Sequence, residues 1–139
     1  MLKYNLFNRI MLNGNKQTSE KIILKSLKKL QKVSKKKNFN DVIKIGIIHN
    51  SPIIYTKNIK RKRKQTIEFP FLLRSYLRIS YGIKFILKSD KQNLSLPFYI
   101  KLNKKFIESS KLVNLSSEKT CNLHKNAVLN KKFANYRWF

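Results

Sequence analysis

The chain has little acid. Six Asp and Glu stand against 32 Lys and Arg in 139 residues, a formal net charge of +26. Self-repulsion on that scale opposes compaction. It makes sense when a partner supplies the counter-charge, and nucleic acid is the commonest such partner. Cys121 is the single cysteine, which excludes an intrachain disulfide and a Cys-based zinc site. The three glycines are not clustered, so there is no P-loop to cradle phosphate. His49 and His124 are far apart and lack companions at metal-ligand spacing. The acidic residues are scattered, and no carboxylate pair is evident. No apolar run is long enough to span a membrane, and a membrane is not expected as a partner. Nothing in the sequence supports catalysis, and no cofactor or metal is assigned.

Arginine and alanine are also scarce. The arginines are Arg9, Arg61, Arg63, Arg74, Arg78 and Arg137, and the other 26 basic residues are lysine. Alanine occurs only at Ala127 and Ala134. Lys, Asn and Ile use A/T-rich codons, so the bias reads as the imprint of an A/T-rich genome, of which organelles are a frequent source. A transit peptide would be Ser- and Arg-rich before the folded part begins. Here a helical pattern starts at Leu2. The protein is therefore expected to be processed, or made where it works, and composition favours the second.

What is present is enough for one domain, residues 1–139, with a modest core built from 42% hydrophobic residues. Leu2, Leu6, Phe7, Ile10 and Met11 recur at helical spacing, and Asn13-Gly14 stops that helix. Thr18 is the expected N-cap of a second helix, with Glu20 in its first turn. Ile23, Leu24, Leu27, Leu30 and Val33 form its apolar stripe; Lys21, Lys25, Lys28, Lys29 and Lys32 form the other face. Val33–Asn40 reads as a basic loop. Asn40 or Asp41 then caps a third helix through Val42, Ile43, Ile45, Ile47 and Ile48, although this β-branched run also fits a strand. Ser51-Pro52 ends it.

Two β-rich pieces follow, 53–56 and 66–69, around the basic segment 57–64. They predict a hairpin with a basic tip. Ser75 is the expected cap of a fourth helix carrying Tyr76, Ile79, Ile83 and Ile86. Ser95-Leu96-Pro97 opens a fifth, with Pro in the first turn, and Leu102, Phe106 and Ile107 continue its apolar side. Ser116 or Ser117, followed by Glu118, opens a last helix that runs to the C-terminus. The fold class is mainly α: about six helices with one protruding β-hairpin between the third and fourth.

The hairpin tip is the strongest candidate for nucleic-acid contact. It carries Lys60, Arg61, Lys62, Arg63 and Lys64, held out by flanking strands. The competing reading is a solvated loop or a localisation-type cluster. The lysine face of the second helix is weaker, because such faces are commonly just solvated. Lys16, near a helix N-terminus, suits phosphate. In the tail, Phe133, Tyr136 and Trp138 alternate with Lys131, Lys132 and Arg137. Aromatics stack on unpaired bases, and Arg pairs with phosphate. Phe133 is expected to pack on the core, Arg137 and the tail lysines to touch RNA. His124 is expected to be an ordinary surface or hydrogen-bonding histidine.

The tail pattern resembles the small-subunit ribosomal protein seven family (the universal uS-seven type). That family ends on a His, a basic residue, Ala, Asn, a basic residue, Phe-Ala and an aromatic-Arg-Trp. Here these are His124, Lys125, Ala127, Asn130, Lys131, Phe133, Ala134, Tyr136, Arg137 and Trp138. An early family turn is similar to Asn13-Gly14-Asn15-Lys16-Gln17-Thr18. The family's Val-Pro-Val strand looks like Phe69-Pro70-Phe71, followed by Arg74 and Arg78. The order holds from about Leu2 to Trp138. Departures are Arg61-Lys62-Arg63-Lys64 in place of an Arg-Arg-x-Gly-Gly tip, and Lys84-Phe85 in place of Arg-Trp. The family's N-terminal basic arm and C-terminal extension are not matched. That shortening looks more mitochondrial than bacterial or plastid.

The resemblance implies a structural protein of the small-subunit head. The family binds the 3′ major domain of the small-subunit rRNA, nucleates head assembly, and lies near the exit-site tRNA and the mRNA exit path. Its partners would be that rRNA, neighbouring head proteins, exit-site tRNA and mRNA. By position, Lys16, Arg61, Arg74, Arg78, Lys125 and Arg137 would contact the RNA backbone. Lys60, Lys62, Arg63 and Lys64 would belong to the hairpin near the exit site. A free basic nucleic-acid-binding protein of an organelle explains the charge equally well but not the ordered motifs. A basic amphipathic protein at anionic membranes leaves the hairpin without a role.

Overall fold

The computed structural model of the chain describes residues 2–33, 38–60, 66–88, 96–111 and 115–135. Helix α1 spans Leu2–Ile10 and α2 Lys16–Val33, with α3 at Phe39–His49. Strands β1, Ile54–Lys60, and β2, Thr66–Leu72, follow. Then come α4 (Ser75–Lys88), α5 (Phe98–Ser110), α6 (Leu115–Leu129) and a 3-10 turn at Lys131–Phe133. Among the described residues, six helices and one hairpin between α3 and α4 make the architecture the sequence implied. The third element is a helix, not a strand.

Asn13 and Gly14 both adopt positive φ, 50° and 75°. Two successive left-handed residues reverse the chain, and Gly accepts that conformation without a Cβ penalty. This turn, not a side-chain cap, sets the start of α2. The helix begins at Lys16, two residues before the expected Thr18. The Thr18 hydroxyl donates to the Asn15 carbonyl at 2.8 Å. Helix α3 likewise begins at Phe39, after Asn38, which makes no side-chain cap bond. Pro97 is itself the N-cap of α5 and so stands just outside its first turn; Ser95 lies outside the described residues. Ser116 falls inside α6, which starts at Leu115.

Leu6 and Phe7 of α1, Ile23 and Leu30 of α2, and Val42, Ile43 and Ile47 of α3 meet in one core. Ile83 and Ile86 of α4 and Leu102 and Phe106 of α5 complete it. Helix α5 packs on both α2 and α3. The approach to α2 is close because serines stand where α2 turns inward. Ser19 and Ser26 are buried, and their hydroxyls bond back to the Lys16 and Ile23 carbonyls at 2.7 Å each. Asn103 of α5 donates to the Ser26 carbonyl at 3.4 Å. The buried face of α2 therefore runs through Ser19, Ile23, Ser26 and Leu30. Leu24 and Val33, expected in the stripe, are exposed. Tyr76, expected on the apolar side of α4, is also exposed.

At the α3–α4 crossing, Gly82 is buried against Ser51 and the Ile47 carbonyl. A side chain there would meet both, so absence of a Cβ lets the helices touch. Lys105 of α5 is buried, and its ammonium donates to the Leu87 carbonyl at 2.9 Å. Lys119 of α6 reaches the Lys88 carbonyl at 3.4 Å. Two lysines thus meet the C-terminal turn of α4, where unsatisfied carbonyls favour cations.

The strands are longer than the expected pieces and pair antiparallel from Ile54↔Leu72 to Lys60↔Thr66. Pro70 is tolerated in β2 because a two-stranded sheet leaves each strand an unpaired edge. The root is braced by α6 and by the 3-10 turn. His124 Nε2 accepts the Ile53 N–H at 3.2 Å, the hydrogen-bonding role expected of it. Phe133 packs on Phe69 with ring centroids 5.4 Å apart, also as expected. The expected continuous terminal helix breaks at Asn130, whose side-chain amide bonds back to the Asn126 carbonyl at 3.0 Å. The chain then tightens into the 3-10 turn that returns Phe133 to the hairpin.

Candidate nucleic-acid interface

The sequence-assigned basic residues fall into separate groups. Lys16 is exposed as the first residue of α2, a helix that packs on α5, α1 and α3. Arg74 is exposed between β2 and α4. Arg78 stands one turn further along, half-buried, and its Nε is buried without a partner among the described residues. Lys125 is exposed on α6, and Lys131 is exposed at the start of the 3-10 turn. Both of those belong to the elements that hold the hairpin root. Lys60 closes β1. Arg61, Lys62, Arg63 and Lys64, and Arg137 with the tail aromatics Tyr136 and Trp138, lie outside the described residues. The structure thus places Lys125 and Lys131 on the elements that brace the hairpin root, Lys60 at the far end of the paired strands, and Lys16 on α2.

The charge of the described residues is largely uncompensated by ion pairs. Among the described residues one ion pair forms, Lys44 with Asp41 at 3.8 Å on the surface of α3. Such exposed pairs contribute little. The lysine face of α2 is largely solvated, with Lys21, Lys25, Lys28 and Lys32 exposed. Among the described residues no cluster of three His, Cys, Asp or Glu could hold a metal. No described helix is long and apolar enough to cross a membrane.

Sequence reasoning missed a cationic and aromatic patch around α4. Arg9 of α1 donates to the Ser80 hydroxyl from Nη2 at 2.6 Å and from Nε at 3.3 Å. Tyr81 stacks beside Tyr55 of β1 with centroids 4.8 Å apart, and Phe85 follows at 6.3 Å. The Lys84 ammonium lies 5.6 Å from the centre of the Tyr81 ring, within cation–π range. Burial raises the Tyr81 pKa above the ordinary tyrosine value, helped by the neighbouring Tyr55 hydroxyl and opposed by Arg9. The i, i+4 spacing of Tyr81 and Phe85 was a visible signal, but β1 and α4 had to be placed side by side before Tyr55 could join them.

A long basic hairpin braced by a C-terminal helix, on a helical body with unpaired cations, is a surface made for structured polyanion. The family model described as ribosomal protein S7p/S5e matches residues 2–131. The chain belongs to the ribosomal S7p/S5e family. The match takes in His124, Lys125, Ala127, Asn130 and Lys131 and stops before Phe133 and the aromatic-Arg-Trp segment. No curated protein matches the chain. This S7p/S5e member is a structural protein of the small ribosomal subunit that binds rRNA and other ribosomal proteins; it is not an enzyme. The unpaired charge then has its counter-ion in the RNA phosphates.

Proposed function

We propose that this protein organises the head of a mitochondrial small ribosomal subunit. It binds the 3′ major domain of the rRNA, and its hairpin reaches toward the exit-site tRNA and the mRNA exit path. The observation that carries this reading is the hairpin itself. Seven paired positions hold β1 to β2 out to Lys60↔Thr66, and the residues joining those strands are Arg61-Lys62-Arg63-Lys64-Gln65. A basic linking sequence between strands with a braced root suits insertion between RNA helices, where shape and phosphate position are recognised.

Lys16, Arg74, Arg78, Lys125, Lys131 and Arg137 are the proposed backbone contacts outside the hairpin. The mitochondrial assignment rests on composition: 26 lysines, abundant Asn and Ile, and two alanines. The test is charge reversal of Lys60 to Lys64. The core should stay folded by circular dichroism, while the logarithmic salt slope of rRNA binding falls by roughly 0.7 to 0.9 for each phosphate that is no longer neutralised. An unchanged slope would remove the arm from the interface. Sedimentation of the tagged protein from lysed mitochondria tests the location: it should travel with the small subunit at salt that strips loosely bound basic proteins.

A further inference from the structure

A pocket of about 370 Å³ opens between β1, α4 and α6, lined by Tyr55, Phe85, Lys119, Asn122, Leu123 and Asn126. Its size lies near the lower end of the roughly 300–1,000 Å³ range of small-ligand sites. Tyr55 and Phe85 supply flat aromatic surface. Tyr81 lies between them, in ring contact with both, which fixes their positions. Both lining rings are half-buried rather than sealed, so a planar group can reach them. Asn122 and Asn126 are exposed, one helical turn apart on α6, and neither side-chain amide is engaged within the described residues. Among the described residues no carboxylate lines the pocket. Lys119 lines it, its ammonium 3.4 Å from the Lys88 carbonyl with further N–H donors to offer, and Lys84 is held beside the same aromatic row.

We propose that this pocket takes one unpaired nucleobase of the small-subunit rRNA. The base stacks on Tyr55 and Phe85, its hydrogen-bonding edge meets the Asn122 and Asn126 amides, and Lys119 meets the flanking phosphate. Aromatic faces accept any base, and amides present both a donor and an acceptor to a base edge. A net charge of +26 favours a nucleotide over a cationic side chain from another protein. The inference rests on rRNA binding by the family and not on the hairpin, so either can fail alone.

The test uses the full chain and a transcript of the small-subunit rRNA from the same genome. Asn122→Ala with Asn126→Ala changes two exposed side chains and should leave the fold intact. Base-specific chemical probing should show one unpaired nucleotide, protected by the unaltered protein, become reactive with the double variant. Affinity should fall by about 3- to 10-fold with the salt slope unchanged, because every phosphate-binding cation is retained. Phe85→Ala should lower affinity by about 5- to 150-fold, and ultraviolet cross-linking should join a nucleotide to the peptide holding Tyr55 or Phe85. Unchanged protection and affinity in the asparagine variant would overturn the proposal. So would cross-links from those rings to a neighbouring ribosomal protein in assembled subunits and not to RNA. Failure of the unaltered chain to bind the transcript would strike the rRNA-binding reading instead.

Discussion

Gly82→Ala should loosen the α3–α4 crossing. A Cβ at this position would stand 2.8 Å from the Ser51 hydroxyl oxygen and 3.0 Å from the Ile47 carbonyl oxygen. Neither neighbour can step aside cheaply. The Ser51 hydroxyl is itself bonded to the Ile47 carbonyl at 2.7 Å, and that carbonyl is part of the α3 backbone. Overpacking of this kind costs about 1–3 kcal/mol. Losing the Ser51 hydrogen bond adds about 1 kcal/mol. Replacing Gly by Ala inside a helix returns about 1 kcal/mol. The net is a destabilisation of roughly 1–3 kcal/mol, and for a chain of this length each kcal/mol lowers the melting temperature by about 3–5 °C. Thermal unfolding followed by far-ultraviolet circular dichroism measures it. Ser51→Ala in the same chain should recover part of the loss, since it removes the nearer obstacle and leaves the carbonyl. A Gly82→Ala protein as stable as the parent, or one that Ser51→Ala does not help, would refute the close-approach argument.

The free protein should become more thermally stable as potassium chloride is raised. Screening shortens from about 10 Å at 0.1 M to about 3 Å at 1 M, and repulsion among unpaired cations outweighs the one exposed ion pair among the described residues; a falling melting temperature would contradict this. Lys105→Ala should cost about 2–4 kcal/mol in urea unfolding, by loss of a charge-assisted bond and of buried stem packing. Lys105→Met, which retains the stem, should cost less. Tyr81 should be among the last tyrosines to ionise in an absorbance titration, and Tyr81→Phe should remove that late step. With its folded pKa raised, its contribution is fully present below the unfolded value of about 10 and is lost as pH rises beyond it.

Helix existence was legible where bulky apolar residues repeat, as at Leu6, Phe7 and Ile10. It misled where the buried face uses serine. Ser19 and Ser26 are core residues that a hydrophobic pattern passes over, and their place in the stripe was assigned to Leu24 and Val33. Helix starts were misplaced because backbone conformation at Asn13, Gly14 and Asn38, not side-chain capping, begins α2 and α3. The hairpin was visible from its β-rich flanks, but β1 extends through Lys57, Asn58 and Lys60 and β2 through Pro70, residue types with weak strand preference. The break at Asn130 depends on Phe133 finding Phe69, a contact 64 positions apart in sequence. Charge identified the class of partner and could not rank one lysine above another. The pocket at Tyr55, Phe85 and Asn122 was hidden because three distant segments build it.

The bond from Ile53 to His124 has a consequence for the growing chain. Its partners are 71 residues apart, and the brace is the later one to be synthesised. At about 5–20 residues per second, the hairpin strands wait roughly 4–14 s before α6 can hold them. During that interval the nascent chain carries most of its charge with no fixed direction for the arm. Attraction to RNA therefore precedes geometric selectivity in the life of each molecule. A chain halted before α6 would retain the first and lack the second, which makes it a competitor for rRNA and not merely an inactive fragment.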